Sequence, residues 1–207
     1  MTATDRAPSR PRRRVALALA AHSAAPGSPP GVDPVRFARA CLADSYEVLA
    51  DLQEVRGGIV GEGDAIADLL WPRDLRPDVG DGSLRGLAQQ LSGEADELVV
   101  VPGDVPDLPG LVLAKVFKAL DRADACVAPA RNGTGCVAIG VRVPWPAWLP
   151  DGLDLDDDPT EQLQTLAPRR RSFASGPDWH RMCTGDAVNR LDPRLEGWEE
   201  TRLLLSG

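Results

Sequence analysis

Lysine is almost missing from this sequence, which has only Lys115 and Lys118, so arginine provides nearly all of its positive charge. Acidic residues outnumber basic ones and leave a formal net charge of −8 and a pI near 4.8. No nucleic-acid partner is expected, because a field of this sign repels a phosphate backbone. An anionic substrate would have to be held by local arginines, by backbone amides or by a metal ion.

Closely spaced cysteines and long apolar runs are also absent. The four cysteines, Cys41, Cys126, Cys136 and Cys183, include no C-x-x-C pair of the kind that binds zinc. Three of them lie among apolar residues, so we expect reduced, mostly buried thiols in a cytoplasmic protein. No apolar run is long enough to cross a bilayer, and no membrane partner is expected.

The N-terminal region allows two interpretations. Residues 1–14 are rich in proline, arginine and serine, which predicts a disordered basic arm. The apolar run from Val15 to Ala21 is at the lower length limit for a secretion signal and suits a first buried strand equally well. We favour the strand, because the pattern that follows needs one, and we predict a single α/β domain over residues 15–207.

Strand-like and helix-like segments alternate along most of this domain. Asp33 and Pro34 have the pattern of an N-cap and first helical residue. The predicted helix runs to about Leu52, and its apolar face consists of Val35, Ala38, Cys41, Leu42, Tyr46 and Leu49. This alternation predicts three layers: a mostly parallel sheet with helices on both faces. The segment 144–207 predicts an irregular extension with short helices.

Three loops are expected to meet at the carboxyl edge of the sheet, where open α/β sheets bind ligands. One is residues 21–33. The second ends in a Gly-rich turn before a helix, a general arrangement for binding anions through backbone N–H groups; its residues are Gly80, Asp81, Gly82 and Ser83. The third follows the buried run Leu98 to Val101 and contains Pro102, Gly103, Asp104 and Asp107.

The two aspartates of the third loop have two possible roles. Held on a stiff Gly- and Pro-rich loop, Asp104 and Asp107 could bind Mg²⁺ or Mn²⁺ against a diphosphate. They could equally end the strand and cap the next helix, and spacing alone does not decide. A further loop, RNGTG, carries Arg131, which could contact a phosphate or a sugar.

Two features of the C-terminal third have structural as well as functional interpretations. The acidic run from Asp154 to Asp158 could chelate a hard cation, but a solvated loop with a helix N-cap is favoured. Four tryptophans could form an interaction surface or a homodimer interface, although packing of the tail onto the sheet is favoured. They are Trp145, Trp148, Trp179 and Trp198.

Three segments, GDGSLRGLAQQL, VVVPGDVPDL and VAPARNGTGCVAIGV, occur in an order that resembles the GT-A-like nucleotide-sugar and nucleotidyltransferase superfamily. The nearest resemblance is to DUF2064-type bacterial glycosyltransferase-like proteins and phospholactate guanylyltransferases, over roughly residues 15–143. It implies Mg²⁺ or Mn²⁺ on a catalytic Asp104. It also implies that a nucleotide or nucleotide sugar is bound by the loops described above and by Arg131, Asn132, Gly133 and Thr134.

The sequence departs from this superfamily at two places. The loop of residues 21–33 has no arginine or lysine where active members carry basic residues, and His22 is its one candidate. Near the end, HRMCTGDAVNRL has Arg181 and Cys183 where relatives have acids. His180 could substitute as a metal ligand, but a packed or interfacial histidine is favoured. We therefore carry two hypotheses: a metal-dependent transferase using a nucleotide-activated donor, and a non-catalytic relative that binds a nucleotide, a metabolite or a protein.

Overall fold

A six-stranded sheet forms the centre of the computed structural model, which describes residues 11–61, 67–78, 80, 82–131 and 135–206. The strands are β1 (Arg14–Leu19), β2 (Val55–Val60), β3 (Glu97–Pro102), β4 (Ala125–Pro129), β5 (Cys136–Arg142) and β6 (Phe173–Ser175). Their order is β2-β1-β3-β5-β4-β6, and only β5 runs antiparallel to its neighbours among these strands. The predicted α/β class with a mostly parallel sheet is confirmed.

Five α-helices accompany the sheet within the described residues: α1 (Pro34–Ala50), α2 (Leu84–Gln90), α3 (Gly110–Leu120), α4 (Thr160–Leu166) and α5 (Glu199–Ser206). As predicted, Asp33 caps α1, because its side chain accepts a hydrogen bond of 2.8 Å from the backbone N–H of Arg36. The short helix expected over DAIADLLW lies partly outside the described residues. No described helix is long and apolar enough to span a bilayer.

The two faces of the sheet bury separate hydrophobic clusters, because successive strand residues point to opposite faces. Ala16 and Val99 belong to the cluster covered by α1 and α3. Leu17 and Val100 belong to the cluster covered by α2, α4 and the segment that follows β5. Helices therefore lie on both faces, as the alternating pattern predicts.

The N-terminal apolar run is a central strand rather than a separate segment. β1 pairs in parallel with both β2 and β3, and Val15 is 2% exposed. β1 begins at Arg14. Arg12 and Arg14 both form ion pairs with the buried carboxylate of Glu97, which fixes this part of the basic segment against the start of β3.

The C-terminal extension packs onto the rest of the domain and adds β6 beside β4. Trp198 is 5% exposed in a cluster with Phe37 of α1 and Met182. Trp145 and Trp148 are partly buried against the cluster under α2. Packing, the favoured interpretation, therefore accounts for these tryptophans.

α1 buries Cys41, Tyr46 and Leu49 of the predicted face, but its first turn differs from the prediction. Val35, expected to be buried, is 76% exposed, whereas Phe37 is fully buried. The physical reason is that α1 packs against α5 and the C-terminal extension as well as against the sheet, so its apolar contacts spread beyond one stripe.

Candidate ligand-binding site

A cavity of about 550 Å³ lies at the carboxyl edge of the sheet. Because β1 and β3 are parallel neighbours, their following loops meet at this edge. The loop after β1 contributes His22 and Ser23, the turn after β3 contributes Asp104, and the C-terminal extension contributes Asp156 and Arg181. A second cavity, of about 560 Å³, lies between α1 and α5, and none of the predicted site residues lines it.

Gly103 brings the two loops of the cavity together. Its backbone N–H donates to the carbonyl oxygens of Leu19, at 3.1 Å, and His22, at 2.9 Å. A Cβ atom at position 103 would lie 3.3 Å from each of these oxygens, so the close approach favours glycine. Pro102 and Gly103 therefore act as backbone elements that hold His22 beside the turn carrying Asp104.

Asp104 is fully buried and forms an ion pair with Arg181, which is 2% exposed. The Nε of Arg181 donates to both carboxylate oxygens, at 3.0 and 3.1 Å, and Nη2 donates to Oδ2 at 3.0 Å. Burial raises the pKa of Asp104, and the charge and hydrogen bonds of Arg181 oppose that shift. The pair is charge-assisted and bidentate, the strongest class of side-chain hydrogen bonding.

Asp156 connects this ion pair to His22. Its carboxylate lies 2.8 Å from Nη2 of Arg181 and 3.2 Å from Nδ1 of His22. Partial burial raises the pKa of Asp156, but its close contacts with Arg181 and His22 outweigh burial, so its pKa is lower than usual. Asp154 lies on the other side of the imidazole, 3.7 Å from Nε2. His22 is therefore held between two carboxylates at the rim of the cavity.

The residues around Asp104 do not suit the divalent cation that the superfamily resemblance implies. Both carboxylate oxygens already accept hydrogen bonds from Arg181, and a second cation beside that guanidinium would be repelled. Among the described residues, a group with metal-ligand spacing is formed instead by His22, Asp154 and Asp156, whose ligand atoms lie within 4.8 Å of one another.

Asp107 and His180 form a separate buried cluster. Asp107 is 3% exposed and accepts a hydrogen bond of 3.1 Å from Nε1 of Trp179. Nε2 of His180 lies 3.0 Å from the other oxygen of the same carboxylate. The rings of Trp179 and His180 stack with centroids 4.9 Å apart. His180 is therefore a packed histidine that contacts Asp107, in keeping with the interpretation favoured from the sequence.

Arg131 lies beside Trp179 of this cluster and does not line the cavity. Its Nε and Nη2 each donate to Asp178 at 3.1 Å, and its guanidinium lies 5.5 Å from the ring centroid of Trp179. Among the predicted residues, the structure thus brings Asp104 and His22 together at one cavity. It directs Asp107 and Arg131 to partners outside that cavity.

The Gly-rich turn before α2 has a local structural role. Ser83 caps α2, because its Oγ accepts a hydrogen bond of 2.9 Å from the backbone N–H of Gly86. Gly80 and Gly82 have φ angles of 56° and 74°, which favour glycine. None of these three residues lines the cavity. The remaining predicted residues, Asp81, Asn132, Gly133 and Thr134, lie outside the described residues.

The sequence does not predict that Arg181 and Asp156 are site residues. Arg181 stands out only as a base where relatives have an acid, and Asp156 is one of several similar residues in an acidic run. The available signal in the sequence is Arg181 itself. A guanidinium that stands in place of an acid can neutralise the aspartate that remains, Asp104.

Comparison with protein families and curated sequences gives a match to one family. The model of DUF2064, described as an uncharacterized protein conserved in bacteria, matches residues 64–154. This range includes β3 and the turn that carries Asp104. No curated protein sequence matches the chain significantly.

Three solved structures with similar folds extend the comparison to nearly the whole chain. A candidate nucleotide-diphospho-sugar transferase from Desulfovibrio desulfuricans G20 has a TM-score of 0.61 at 18% identity, covering 95% of this chain and 96% of that one. The 4-diphosphocytidyl-2C-methyl-D-erythritol synthase of Anaerococcus prevotii DSM 20548 has a TM-score of 0.54 at 10% identity, covering 94% and 95%. Rv0371c of Mycobacterium tuberculosis H37Rv, in complex with manganese, has a TM-score of 0.51 at 15% identity, covering 96% and 100%.

At these identities the structural likeness concerns the fold. It covers almost all of this chain, including the C-terminal extension that supplies Arg181. The predicted resemblance is confirmed: the chain has the GT-A-like fold of nucleotide-diphospho-sugar transferases and nucleotidyltransferases, and its residues 64–154 match the DUF2064 family.

Proposed function

We propose that the protein binds a nucleotide-activated donor, a nucleotide or a nucleotide sugar, in the cavity at the carboxyl ends of β1 and β3 and transfers a group from it. The observation that carries this proposal is the position of the cavity, about 550 Å³ in size, at the carboxyl edge of two parallel strands in a transferase-like fold. The nature of the transferred group, glycosyl or nucleotidyl, stays open.

The charge at the rim of the cavity favours donors that carry few negative charges. Asp156 lines the cavity and Asp154 lies beside His22, while the guanidinium of Arg181 is already engaged by Asp104 and Asp156. A triphosphate would therefore meet repulsion that a nucleotide sugar, with fewer ionised oxygens, meets less strongly. In the absence of metal we expect nucleotide sugars to bind more tightly than nucleoside diphosphates, and nucleoside diphosphates more tightly than triphosphates.

His22 is suited to hold a proton during transfer to an acceptor hydroxyl. Its imidazole lines the cavity, and the carboxylate of Asp156 lies 3.2 Å from Nδ1. A histidine held by a carboxylate is a common general base, because the acid stabilises the imidazolium that forms. In the glycosyl version, His22 would take the hydroxyl proton as the oxygen attacks the anomeric carbon and the nucleoside diphosphate leaves.

A thermal-shift panel of nucleotides, nucleoside diphosphates and nucleotide sugars tests the proposal, each measured with EDTA and with Mn²⁺. A ligand at about 100 times its dissociation constant should add roughly 2.7 kcal/mol to the unfolding free energy, which raises the melting temperature clearly. The donor found is then assayed for release of its nucleoside diphosphate or of pyrophosphate. Absence of a shift for every member of the panel, under both conditions, would contradict the proposal.

The second candidate is a non-catalytic relative that binds its ligand without turnover. It is favoured by the internal pairing of three side chains that the sequence offers for chemistry: Asp104 with Arg181, Asp107 with His180 and Arg131 with Asp178. The same panel separates the candidates. Binding of a donor with no product released, across sugar, phosphate and protein acceptors, would support this second function.

A further inference from the structure

We infer that Arg181 takes the place of the divalent cation on Asp104, so that a guanidinium belonging to the chain supplies the positive charge at this point of the cavity. The expected metal site is thereby converted into an internal ion pair. This inference rests on the proposed function only for the identity of the ligand. The ion pair between Arg181 and Asp104 is present whatever the cavity binds.

The first support is the way in which Arg181 engages the carboxylate. Its Nε and Nη2 lie 3.0 to 3.1 Å from the two oxygens of Asp104, and the two side chains are 3% and 0% exposed. The fork of the guanidinium matches the carboxylate edge. A metal ion would need lone pairs of the same oxygens, so the two cations compete for one ligand.

The second support is that Arg181 is anchored on several sides. Nη1 donates to the carbonyl oxygen of Leu155 at 2.8 Å, and Nη2 lies 2.8 Å from Asp156. The next residue along, Met182, donates its backbone N–H to the carbonyl oxygen of Asp104 at 2.8 Å. These contacts fix both the tip and the base of the side chain, so it is not free to swing aside for a metal.

The third support is the cost of displacing Arg181. A metal ion on Asp104 would draw that carboxylate away from the guanidinium of Arg181, whose side chain is only 3% exposed. Breaking one half of a buried ion pair is strongly unfavourable for this reason. Asp156 alone would then balance Arg181, while the carboxylate of Asp104 would be shared with the metal.

A metal titration without any nucleotide tests this role and stays separate from the proposed function. Free Mn²⁺ is measured by electron paramagnetic resonance with the wild-type chain, Asp104→Asn and the matched control Asp178→Asn, an exposed acid paired with Arg131. We expect all three to bind Mn²⁺ equally, through the rim carboxylates or not at all. Loss of Mn²⁺ affinity by about tenfold or more in Asp104→Asn alone would overturn the inference.

A second measurement on the wild-type chain covers the case in which Asp104→Asn fails to fold. The ¹⁵N–¹H signal of the Arg181 Nε group is followed by NMR during titration with Mg²⁺, which is diamagnetic. An unchanged signal supports the retained ion pair. A saturable shift or loss of that signal that persists in Asp154→Asn/Asp156→Asn, with the Arg131 signal unaffected, would show that the metal has displaced Arg181 from Asp104. Failure of nucleotides to bind in the separate panel would leave either result standing.

Discussion

Arg181 and Asp104 form a buried, bidentate ion pair across 77 positions of sequence. The pair joins the C-terminal extension to the turn that follows β3, and the backbone hydrogen bond from Met182 to Asp104 closes the same connection. The residue that the superfamily resemblance marks as catalytic is therefore also part of the packing of this domain. Changes at this position should affect stability and ligand binding together.

Truncation of Arg181 should be strongly destabilising. Arg181→Met leaves the Asp104 carboxylate buried without a cation, so we expect the free energy of unfolding to fall by about 3–5 kcal/mol. The double variant Asp104→Asn/Arg181→Met carries no unpaired charge and should recover part of that loss. Urea denaturation measures both. The exposed pair of Arg131 and Asp178 is the control, and Arg131→Met should cost about 1 kcal/mol or less. Equal losses for Arg181→Met and Arg131→Met would be inconsistent with the buried pair.

Gly135 makes room for the anchored guanidinium. The loss of unfolding free energy on substitution there should therefore exceed the ordinary cost of a positive φ angle. Gly135 has φ +70°, and a Cβ atom would lie 2.1 Å from the Leu155 carbonyl oxygen and 2.8 Å from Nη1 of Arg181. Gly197 has φ +92° with nothing within 4 Å of its Cβ position. We expect Gly197→Ala to cost about 1–2 kcal/mol through backbone strain alone and Gly135→Ala to cost clearly more. Similar unfolding free energies for the two variants would refute the crowding at Gly135.

Asp44 should make the stability of the domain depend on pH. Its buried carboxylate accepts hydrogen bonds from the backbone N–H groups of Glu200, at 3.0 Å, and Thr201, at 2.8 Å, at the start of α5. Burial raises the pKa of Asp44 to about 6, although its hydrogen bonds with Thr201 and Glu200 oppose the shift. Because the folded pKa lies above the unfolded one, the stabilising contribution is complete below about pH 4 and is lost as pH rises through about 6.

The measurable consequence is a fall in unfolding free energy of roughly 2–3 kcal/mol between about pH 4 and pH 7, in excess of the fall shown by Asp44→Asn. The subtraction removes the contribution of Asp104, whose pKa is also raised by burial and which both proteins share. Urea denaturation at a series of pH values provides the comparison. Identical pH profiles for the wild type and Asp44→Asn would show that Asp44 does not titrate with folding.

His22 should affect turnover more than binding. If the imidazole takes the acceptor proton, His22→Asn should lower kcat by about 10²-fold or more and leave KM for the donor nearly unchanged. His180→Asn is the matched control, since that imidazole binds Asp107 away from the cavity and should alter stability rather than kcat. Steady-state kinetics with the donor found in the ligand panel make the measurement. A raised KM with an unchanged kcat would assign His22 to binding alone.

The elements that local sequence determines could be predicted. Propensity and capping predict the β-branched run of β3, the start of α1 at Asp33–Pro34 and the loops after β1 and β3. The two loops place His22 and Asp104 at one edge of the sheet. The burial of Phe37 could not be predicted, because it depends on contacts with Met182 and Trp198, which come from a distant part of the chain. The pairing of Arg181 with Asp104 has the same cause, since nothing local to either residue specifies the other.

The most direct test of whether the Asp104 carboxylate binds Arg181 or a metal ion uses crystals of the wild-type protein soaked in MnCl₂. Diffraction data are measured at the manganese absorption edge. The anomalous signal locates any bound Mn²⁺, and the same map shows the position of the guanidinium. We predict no manganese in contact with the carboxylate of Asp104, with Arg181 still bonded to both of its oxygens. A manganese ion coordinated by Asp104, with Arg181 displaced from it, would contradict the account.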